Sequence, residues 1–357
     1  MQPAAEFFAG IGLVRMALER CGWRVTFAND IDPNKFQIYE ANFGSDHFHL
    51  QDVHKLTPKA IPEVSLATAS FPCVDLSLAG NRDGLDGSES AAYWGFHRLL
   101  KRTTSRPRYV LLENVTGLLV SNSGHDLRRV IVSLNELGYG CDLLLVDAVH
   151  FVPQSRPRLF IVGRLNGTRS NIRDFPQHEA RPKRVLDFIE KNADLKWTHC
   201  RPTILPTKRS DLDQLMERFE LDSPLWWSKE RRAHLYSQMS PRHKKVLRFL
   251  ASQPHASFAT VYKRVRPRGC SAEVRADGIA GCLRTPRGGS SKQFVIQAGF
   301  GDWRVRNMTA REYARLQGVP DTFRIDVPYN QALFGFGDAV CVPAVEWVIK
   351  NAVQARL

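Results

Sequence analysis

The sequence predicts an α/β fold: a doubly wound, mostly parallel sheet with a smaller domain inserted near its end. Through the first 163 residues, short apolar runs alternate with longer mixed segments, which is the pattern of β-α-β units. After Gly163 proline, arginine and tryptophan interrupt this pattern, and helical periodicity returns from Arg306. We therefore predict an α/β domain over 1–163 and 306–357, and an inserted domain over 164–305.

Each element of the α/β domain has its own local signal. Six apolar runs are predicted as strands: AAEFFAG, WRVTFA, SLATAS, RYVLLENV, CDLLLVDAV and RLFIVG. Four segments are predicted as helices: 11–21, 33–43, 90–102 and 126–137. Asp32 before Pro33 marks a helix start, and Gly22, Gly44 and Gly138 mark helix ends.

The C-terminal part of the chain is predicted to return to the first domain. Thr309 with Glu312 three residues later has the spacing of a capping box, which predicts a helix start. Gly318 and Pro320 end that helix. A last apolar helix at about 342–353 is expected to pack against the first sheet.

Composition narrows the class of protein. The N-terminus lacks the basic flank of a signal peptide, and no run of 18 apolar residues occurs, so we expect a cytoplasmic protein without a membrane partner. The seven cysteines form no C-x-x-C, which argues against a zinc site or a disulfide framework. They are Cys21, Cys73, Cys141, Cys200, Cys270, Cys282 and Cys341.

The net charge of +14 is confined to one segment. Residues 164–305 contain 28 Lys/Arg and 14 Asp/Glu, which equals the whole excess, so the rest of the chain is neutral. A basic surface also aids solubility, and a membrane surface is a weaker alternative because no amphipathic basic helix stands out. Such confinement favours a polyanion as partner.

The turn after the first strand has features of a nucleoside site. Gly10 and Gly12 allow close approach of a ligand to a helix N-terminus, yet Arg15 replaces the third glycine of a dinucleotide fingerprint. A simple tight turn remains an alternative. Asp30 and Asp52 follow the second and third strands, where acids bind ribose or adenine groups. The pattern favours a nucleoside cofactor without a pyrophosphate.

Cys73 follows Pro72 at the end of a short apolar strand, in the stretch SFPCVDLSLAG. Proline ends the strand, so Cys73 is predicted to open a loop. A small buried side chain is the alternative for a lone cysteine. ENV at 113–115 also fits a strand end with a helix cap, and QSRPR at 154–158 also fits a salt-bridged face.

Six motifs occur in order: FAGIG, FPCVDLSLAG, LLENVTGLL, QSRPRLFIVG, RNMTAREYARLQGVPDTF and FGDAV. With them the chain resembles the cytosine carbon-5 DNA methyltransferases over about 1–163 and 304–354, with a variable target-recognition domain between. The resemblance implies a class I, Rossmann-like methyltransferase fold. It implies S-adenosylmethionine as cofactor, S-adenosylhomocysteine as product and no metal. The implied reaction methylates carbon 5 of a cytosine flipped out of double-stranded DNA at a specific sequence, through a covalent cysteine adduct.

The resemblance also implies partners and cofactor residues. We expect a nucleoid-associated monomer that binds double-stranded DNA, with a cognate restriction endonuclease as an optional partner. The matching cofactor positions are Phe8, Gly10, Gly12, Asp30, Ile31, Asp52, Val53, Pro72, Asp338 and Ala339. Asp30 matches the ribose-binding acid, and Ile31 stands where an aromatic side chain often stacks on adenine. GDAV replaces the usual GNAV or GNSV, so a hydrogen bond near the cofactor is expected to differ.

The matching catalytic positions are Cys73, Glu113, Asn114, Arg156 and Arg158. The resemblance implies that a Cys73 thiolate adds to carbon 6 of cytosine, which would make carbon 5 electron-rich. It implies that Glu113 protonates or hydrogen-bonds ring nitrogen 3, and that Asn114 positions the acid or the exocyclic amine. Arg158 or Arg156 is expected to stabilise the thiolate and to hold the base's carbonyl oxygen. Val74 replaces the family's usual glutamine after the cysteine.

A glycine-rich basic loop in the inserted domain is predicted to read DNA. Its candidate residues are Arg284, Arg287, Ser290, Ser291, Lys292 and Gln293. A solvated flexible loop is the alternative.

Three other functions compete with DNA methylation. A cytosine carbon-5 RNA methyltransferase shares the chemistry, but the large basic insert and the absence of that branch's threonine after its cysteine–phenylalanine pair favour DNA. The second is a catalytically silent DNA-binding regulator, which the intact Cys73 and Glu113 argue against. The third is a thiol hydrolase, for which His47, His49 and His54 offer no evident base–orienter pair.

Overall fold

The computed structural model describes residues 1–72, 91–207, 210–266, 269–285 and 292–354. The chain divides into two compact units. The first comprises Met1–Asp147, Pro157–Leu205 and Val342–Leu357, and the second comprises Ala148–Arg156 and Pro206–Cys341. These units do not have the predicted domain limits: 164–205 belongs with the first sheet, and 306–341 belongs with the second unit.

The first unit contains a seven-stranded sheet in the order β3-β2-β1-β4-β5-β7-β6. Its strands are β1 Gln2–Phe7, β2 Trp23–Asp30, β3 Phe48–Leu50, β4 Leu66–Ala69, β5 Tyr109–Val115, β6 Tyr139–Asp147 and β7 Pro157–Leu165. The pairs from β3 through β5 are parallel, whereas β7 is antiparallel to both of its neighbours. The predicted doubly wound, mostly parallel sheet is therefore confirmed.

Helices cover both faces of this sheet. They are α1 Leu13–Arg20, α2 Pro33–Phe43, α3 Ala92–Arg102, α4 His125–Glu136, α5 Lys183–Lys191 and α11 Val342–Val348. Successive strand residues point to opposite faces. Phe7 packs in the core that holds Phe96 of α3 and Ile131 of α4, while neighbouring Glu6 bonds to Arg15 of α1. The strands are buried on both sides, which is why they appear in the sequence as continuous apolar runs.

Helix starts and ends follow the predicted local signals. The Asp32 side chain caps α2 by accepting from the backbone N–H of Asn34, at 2.8 Å, with Pro33 in the first turn. The last helix joins the first unit as predicted: α11 contacts α1, and Arg20 forms an ion pair with Glu346 at 3.1 Å.

The direction in which strands are added reverses between β1 and β4. From β1 the chain builds outward through β2 and β3, and it then returns to place β4 and β5 on the opposite side. Loops after these two central strands diverge at such a switch point and leave a crevice at the carboxyl edge of the sheet. The loops here are 8–12 after β1 and the segment beginning at Ser70 after β4.

The second unit is built on a four-stranded antiparallel sheet in the order β11-β10-β8-β9. Its strands are β8 Ser257–Arg266, β9 Gly269–Arg275, β10 Gln293–Gly299 and β11 Asp302–Asn307. Its helices are α6 Leu212–Leu215, α7 Lys229–Ser237, α8 Pro241–Ala251, α9 Ala310–Leu316 and α10 Tyr329–Asp338. Leu235 and Leu247 from the helices pack against Val261 and Ile296 from the sheet. The capping box of Thr309 and Glu312 is present at α9.

One stretch, Tyr329–Val353, has the length and apolarity of a membrane-spanning helix, with a mean hydropathy of 1.6. Its most apolar window is 72% buried inside the protein, as in the core helix of a globular fold. The backbone leaves helical structure at 339–341, between α10 and α11.

Candidate active site

The turn after β1 leaves open space above Gly10. Gly10 and Gly12 have φ values of +55° and +83°, which other residues adopt at a cost. A Cβ atom on Gly12 would lie 2.4 Å from the ring of Phe43, so this glycine is required by packing. A Cβ atom on Gly10 would meet no atom within 4 Å. The backbone at Gly10 is therefore accessible to a ligand.

Asp30 holds this turn in place from the end of β2. Its Oδ2 accepts from the backbone N–H of Gly10 at 2.7 Å, and its Oδ1 accepts from that of Asp32 at 2.9 Å. The parallel pairing of β1 with β2 brings the two strand ends together. Because each carboxylate oxygen has two lone pairs, Asp30 retains acceptor capacity for ribose hydroxyls.

The other predicted cofactor residues of the first unit have different exposures. Ile31 is 66% exposed beside Asp30, an unusual position for a large apolar side chain. Asp52 is half-buried, and its Oδ1 accepts from His54 N at 2.8 Å. Val53 is buried in the core beside Gly95, and its contact with adenine stays a prediction. Pro72 is half-buried, and Cys73 lies outside the described residues.

A buried carboxyl group under the turn was not predicted from the sequence. Glu6 Oε1 accepts from the backbone N–H of Arg15 at 3.0 Å, while Oε2 has no partner among the described residues. Burial raises the pKa of Glu6 to about 8. The Arg15 guanidinium also contacts Tyr39 and His47. The sequence did contain a signal for this group, because Glu6 is the one charged residue in the apolar run AAEFFAG.

Glu113 and Arg158 meet at the edge of the sheet. Glu113 lies near the end of β5, and the antiparallel direction of β7 places its second residue, Arg158, opposite Val115. The Arg158 Nε lies 3.0 Å from Glu113 Oε1, with side-chain exposures of 15% and 12%. Two predicted catalytic residues are thus brought together as an ion pair that remains partly accessible to solvent.

Asn114 connects this pair to the loop that carries the predicted nucleophile. Its Nδ2 donates to the carbonyl oxygen of Phe71 at 3.1 Å, and its Oδ1 accepts from Val115 N at 2.9 Å. Phe71 itself is buried, so the chain is fixed two residues before Cys73. Asn114 acts as a positioning residue for the start of this loop.

Arg156, predicted as catalytic, is buried in the second unit. Its guanidinium donates to the carbonyl oxygens of Leu283 at 2.7 Å, Gly337 at 3.0 Å and Ala339 at 2.6 Å. These contacts join the segment before the predicted reading loop to the end of α10. They describe a positioning residue, and direct contact of Arg156 with a base is not favoured by this burial.

Gln154, the first residue of the QSRPR motif, is buried and bonds to the same segment as Arg156, which was not predicted from the sequence. Its amide donates to Leu316 O at 2.6 Å and accepts from Leu283 N at 3.1 Å. It is fully buried. The glutamine was visible at the start of the motif, but the motif alone does not show whether its amide is buried or exposed.

The predicted DNA-reading residues divide into three groups. Arg284 is exposed, whereas Lys292 is half-buried, donates to Asn330 Oδ1 at 3.1 Å and lies over the Tyr329 ring. Gln293 is buried as the first residue of β10, so the structure places it in the sheet rather than on the surface. Arg287, Ser290 and Ser291 lie outside the described residues.

The remaining predictions concern Asp338, Ala339 and metals. Asp338 is exposed at the end of α10 and Ala339 is half-buried; their contact with a cofactor stays a prediction. Among the residues that the structure describes, no three His, Cys, Asp or Glu side chains gather as metal ligands.

The sheet order, with a glycine turn tied to an acid at the end of β2, defines a Rossmann-like α/β enzyme of the class I methyltransferase type. Within this class, the family model described as "C-5 cytosine-specific DNA methylase" matches residues 3–354. The chain belongs to this family and is a DNA cytosine-5-methyltransferase.

Relatives of the chain span nearly its whole length. Type II methyltransferase M.BanI of Aneurinibacillus aneurinilyticus is 32% identical, covering 98% of this chain and 95% of the relative. M.NgoBI of Neisseria gonorrhoeae is 27% identical, with 97% and 91% covered. Among solved structures, S. pombe Dnmt2 methyltransferase has a TM-score of 0.63 at 19% identity, covering 98% of this chain and 97% of that one. This likeness shows the shared fold.

Proposed function

We propose that the protein transfers a methyl group from S-adenosylmethionine to carbon 5 of a cytosine in double-stranded DNA, through a covalent adduct with Cys73. The observation that carries this proposal is the Glu113–Arg158 pair beside Asn114, whose side chain fixes the backbone two residues before Cys73. An acid, a cation and the residues that lead into the segment carrying Cys73 thereby lie at one edge of the sheet.

The residues at the switch point fit S-adenosylmethionine. The open space above Gly10 admits a ligand close to the backbone, Asp30 offers lone pairs to ribose hydroxyls, and exposed Ile31 offers an apolar surface to the adenine face. The turn has no third glycine for a pyrophosphate, and this cofactor contains none. When bound, it supplies an electrophilic methyl group on a cationic sulfur.

The protein residues act on the cytosine ring. The Cys73 thiolate forms a bond to carbon 6, and the electron pair of the C5–C6 double bond becomes available at carbon 5 for bonding to the methyl carbon. Loss of the carbon-5 proton to a base then returns an electron pair to the ring. The C5–C6 double bond reforms, and the sulfur leaves carbon 6 as a thiolate.

Glu113 stabilises the negative charge that develops on the ring during thiolate addition by giving ring nitrogen 3 a proton, which it carries on Oε2 and takes back when the thiolate leaves. Its Oε1 is held by Arg158, which leaves Oε2 as the oxygen we assign to ring nitrogen 3. Because the carboxyl group is already held in position, it does not have to reorient during the reaction, whereas water molecules would. We assign to the Arg158 charge the further role of favouring the Cys73 thiolate over the thiol.

The basic segment supports double-stranded DNA as substrate. Reaction at carbon 5 requires the base to leave the duplex, and phosphate contacts from lysine and arginine offset part of the cost of unstacking. The relatives are named Type II methyltransferases, so we propose that the protein modifies one recognition sequence alongside a cognate restriction endonuclease, as a cytoplasmic monomer. Bisulfite sequencing of a plasmid expressed with the protein should show modified cytosines in one shared sequence context.

Trapping on 5-fluorocytosine tests the covalent step. When this base is at the target, the fluorine on carbon 5 cannot be removed in the way that the proton of cytosine is removed. The methylated adduct should therefore persist through denaturing electrophoresis and map to Cys73. C73S should form no adduct, because a serine hydroxyl is a much weaker nucleophile near neutral pH. E113Q should form it at least tenfold more slowly while binding DNA with unchanged affinity.

Cys270 provides a matched control because it is an exposed free cysteine of the second unit. C270S should trap the duplex as the wild type does. An adduct that maps to Cys270, or methylation by C73S, would contradict the covalent mechanism. Methylation of single-stranded RNA with no reaction on duplex DNA would instead overturn the assigned substrate.

A further inference from the structure

Helix α8 presents a line of three basic side chains on its exposed side. Leu247 and Ala251 form the buried face of the helix against the antiparallel sheet. Arg242, Lys245 and Arg248 are exposed and recur every three residues, so they lie along one side of the helix. We call these three residues the basic stripe.

The stripe has no carboxylate partner within the described residues. Five other arginines of the second unit are ion-paired: Arg232 with Asp302, Arg264 with Glu273, Arg275 with Asp277, Arg306 with Glu312 and Arg315 with Asp321. Three adjacent cations without an acid form a local concentration of positive charge, which favours an anionic partner.

An exposed aromatic residue lies at one end of this helix in an unfavourable turn. The hairpin between β10 and β11 has Phe300 and Gly301 as its two central residues, with φ values of +56° and +89°. Such turns favour asparagine, aspartate or glycine at the first central position, and a bulky residue there is a genuine outlier. Phe300 is nevertheless 75% exposed, so it gains little from burial within the chain.

Backbone hydrogen bonds fix this turn to the end of α8. Phe300 N donates to Gln253 O at 2.8 Å, and Gly301 N donates to Ala251 O at 2.8 Å. Phe249, in the last turn of α8, is itself 65% exposed. Phe249 and Phe300, here called the apolar tip, therefore lie at the end of the basic stripe.

We propose that the basic stripe and the apolar tip form a second DNA-binding surface, which contacts duplex DNA outside the target sequence. This inference rests on the proposed action on double-stranded DNA. The stripe binds phosphates without reading sequence, and the tip packs against sugars and the edges of the minor groove, where apolar side chains make contact.

The dimensions suit a DNA strand. Residues three apart rise about 4.5 Å along a helix, so the stripe spans about 9 Å, while phosphates of one strand advance about 3.4 Å along the duplex axis. Three flexible basic side chains can therefore meet successive phosphates. Strand β10 begins at the end of the predicted reading loop and ends just before Phe300 of the tip. Its seven residues span about 20 Å. The second surface is thus distinct from that loop.

A triple substitution of Arg242, Lys245 and Arg248 by serine tests the stripe. Binding to a duplex without the recognition sequence is measured across a range of salt concentrations. The slope of log K against log salt should become shallower by about 2.7, from three lost phosphate contacts at about 0.9 each. The ratio of affinities for cognate and random duplexes should stay unchanged.

The matched control removes three exposed cations from the first unit: Arg24, Lys101 and Lys191. It loses the same net charge, and its salt slope should match that of the wild type. If both triple variants have equal slopes, the stripe does not bind DNA and the inference is overturned. If the wild-type enzyme itself binds no duplex, the proposed function fails instead, so the two failures are distinguishable.

Phe300 gives a second, independent readout. F300N introduces the residue that this turn favours, so its thermal midpoint should rise by about 2 °C while its affinity for random duplex falls about tenfold. Simultaneous gain of stability and loss of affinity shows that the aromatic residue serves an external contact with DNA. If F300N alters the sedimentation of the protein, or its capture by an acidic peptide, and leaves DNA affinity unchanged, the surface is a protein interface and the inference is overturned.

Discussion

Replacement of Gly10 by alanine should separate cofactor affinity from folding stability. Gly10 adopts a φ of +55°, and its backbone N–H donates to Asp30. Alanine keeps that N–H and adds one methyl group into space where no atom lies within 4 Å. The cost in the free energy of unfolding is therefore only that of a left-handed conformation, about 1–2 kcal/mol.

The same methyl group occupies the space that we assign to S-adenosylmethionine. We expect cofactor affinity to fall at least tenfold, which corresponds to about 1.4 kcal/mol. The assay is calorimetric titration of the cofactor without DNA, with an apparent thermal midpoint measured on the same preparation. A cost of 1–2 kcal/mol lowers that midpoint by about 2–8 °C.

Gly22 provides the matched control for conformational cost. It has a φ of +80°, a Cβ atom on it would meet no atom within 4 Å, and it lies in the turn between α1 and β2 at the opposite edge of the sheet. G22A should lower the midpoint as G10A does and leave cofactor affinity unchanged. Equal affinity in G10A and wild type, or equal loss in both variants, would refute the assignment of this space to the cofactor.

Three further predictions concern other residues. E6Q should raise the thermal midpoint at pH 8 and leave it unchanged near pH 4.5. The pKa of Glu6 is about 8 in the folded protein, above the usual 4.5, so the wild type loses stability as pH rises through this window, whereas the variant does not. Thermal midpoints of both proteins measured across a pH series check this. N114D replaces the donor to Phe71 O with an acceptor, which should slow 5-fluorocytosine trapping tenfold or more and leave cofactor affinity unchanged in calorimetry. G337A places a Cβ atom 2.6 Å from the backbone of Arg284, so chemical denaturation should show a loss of about 1–3 kcal/mol, and a loss below 0.5 kcal/mol would contradict the close approach.

The first sheet could be predicted because its strands are buried on both faces. Such strands are continuous apolar runs, and the glycines at helix ends mark the boundaries between elements. The antiparallel sheet was missed for the opposite reason. Strands such as SFATVYKRVR and DWRVRN contain arginine and lysine between their apolar residues, so their charge resembled that of a solvated segment, although Arg306 is in fact buried against Glu312. Tertiary packing of the alternate apolar residues decides their structure.

Glu113 and Arg158 were each predicted as catalytic residues, but their pairing was not predicted. Glu113 and Arg158 meet because β7 inserts antiparallel between β5 and β6, and the direction of a strand leaves no trace in local sequence. Arg156, two residues earlier in the same motif, belongs to the other unit and is buried there. Residues two apart share a face of a strand, so the motif alone could not show that these two arginines lie in different units.

The chain passes between its two units four times, after Asp147, Arg156, Leu205 and Cys341. A graft of 206–341 into a related enzyme, intended to transplant sequence specificity, would therefore leave behind the short excursion 148–156. That segment supplies the guanidinium and the amide that hold Leu283, just before the predicted reading loop. Exchange of specificity between family members should succeed only when 148–156 and 206–341 are moved together, because the nine residues of the first segment support the residues that lead into the predicted reading loop.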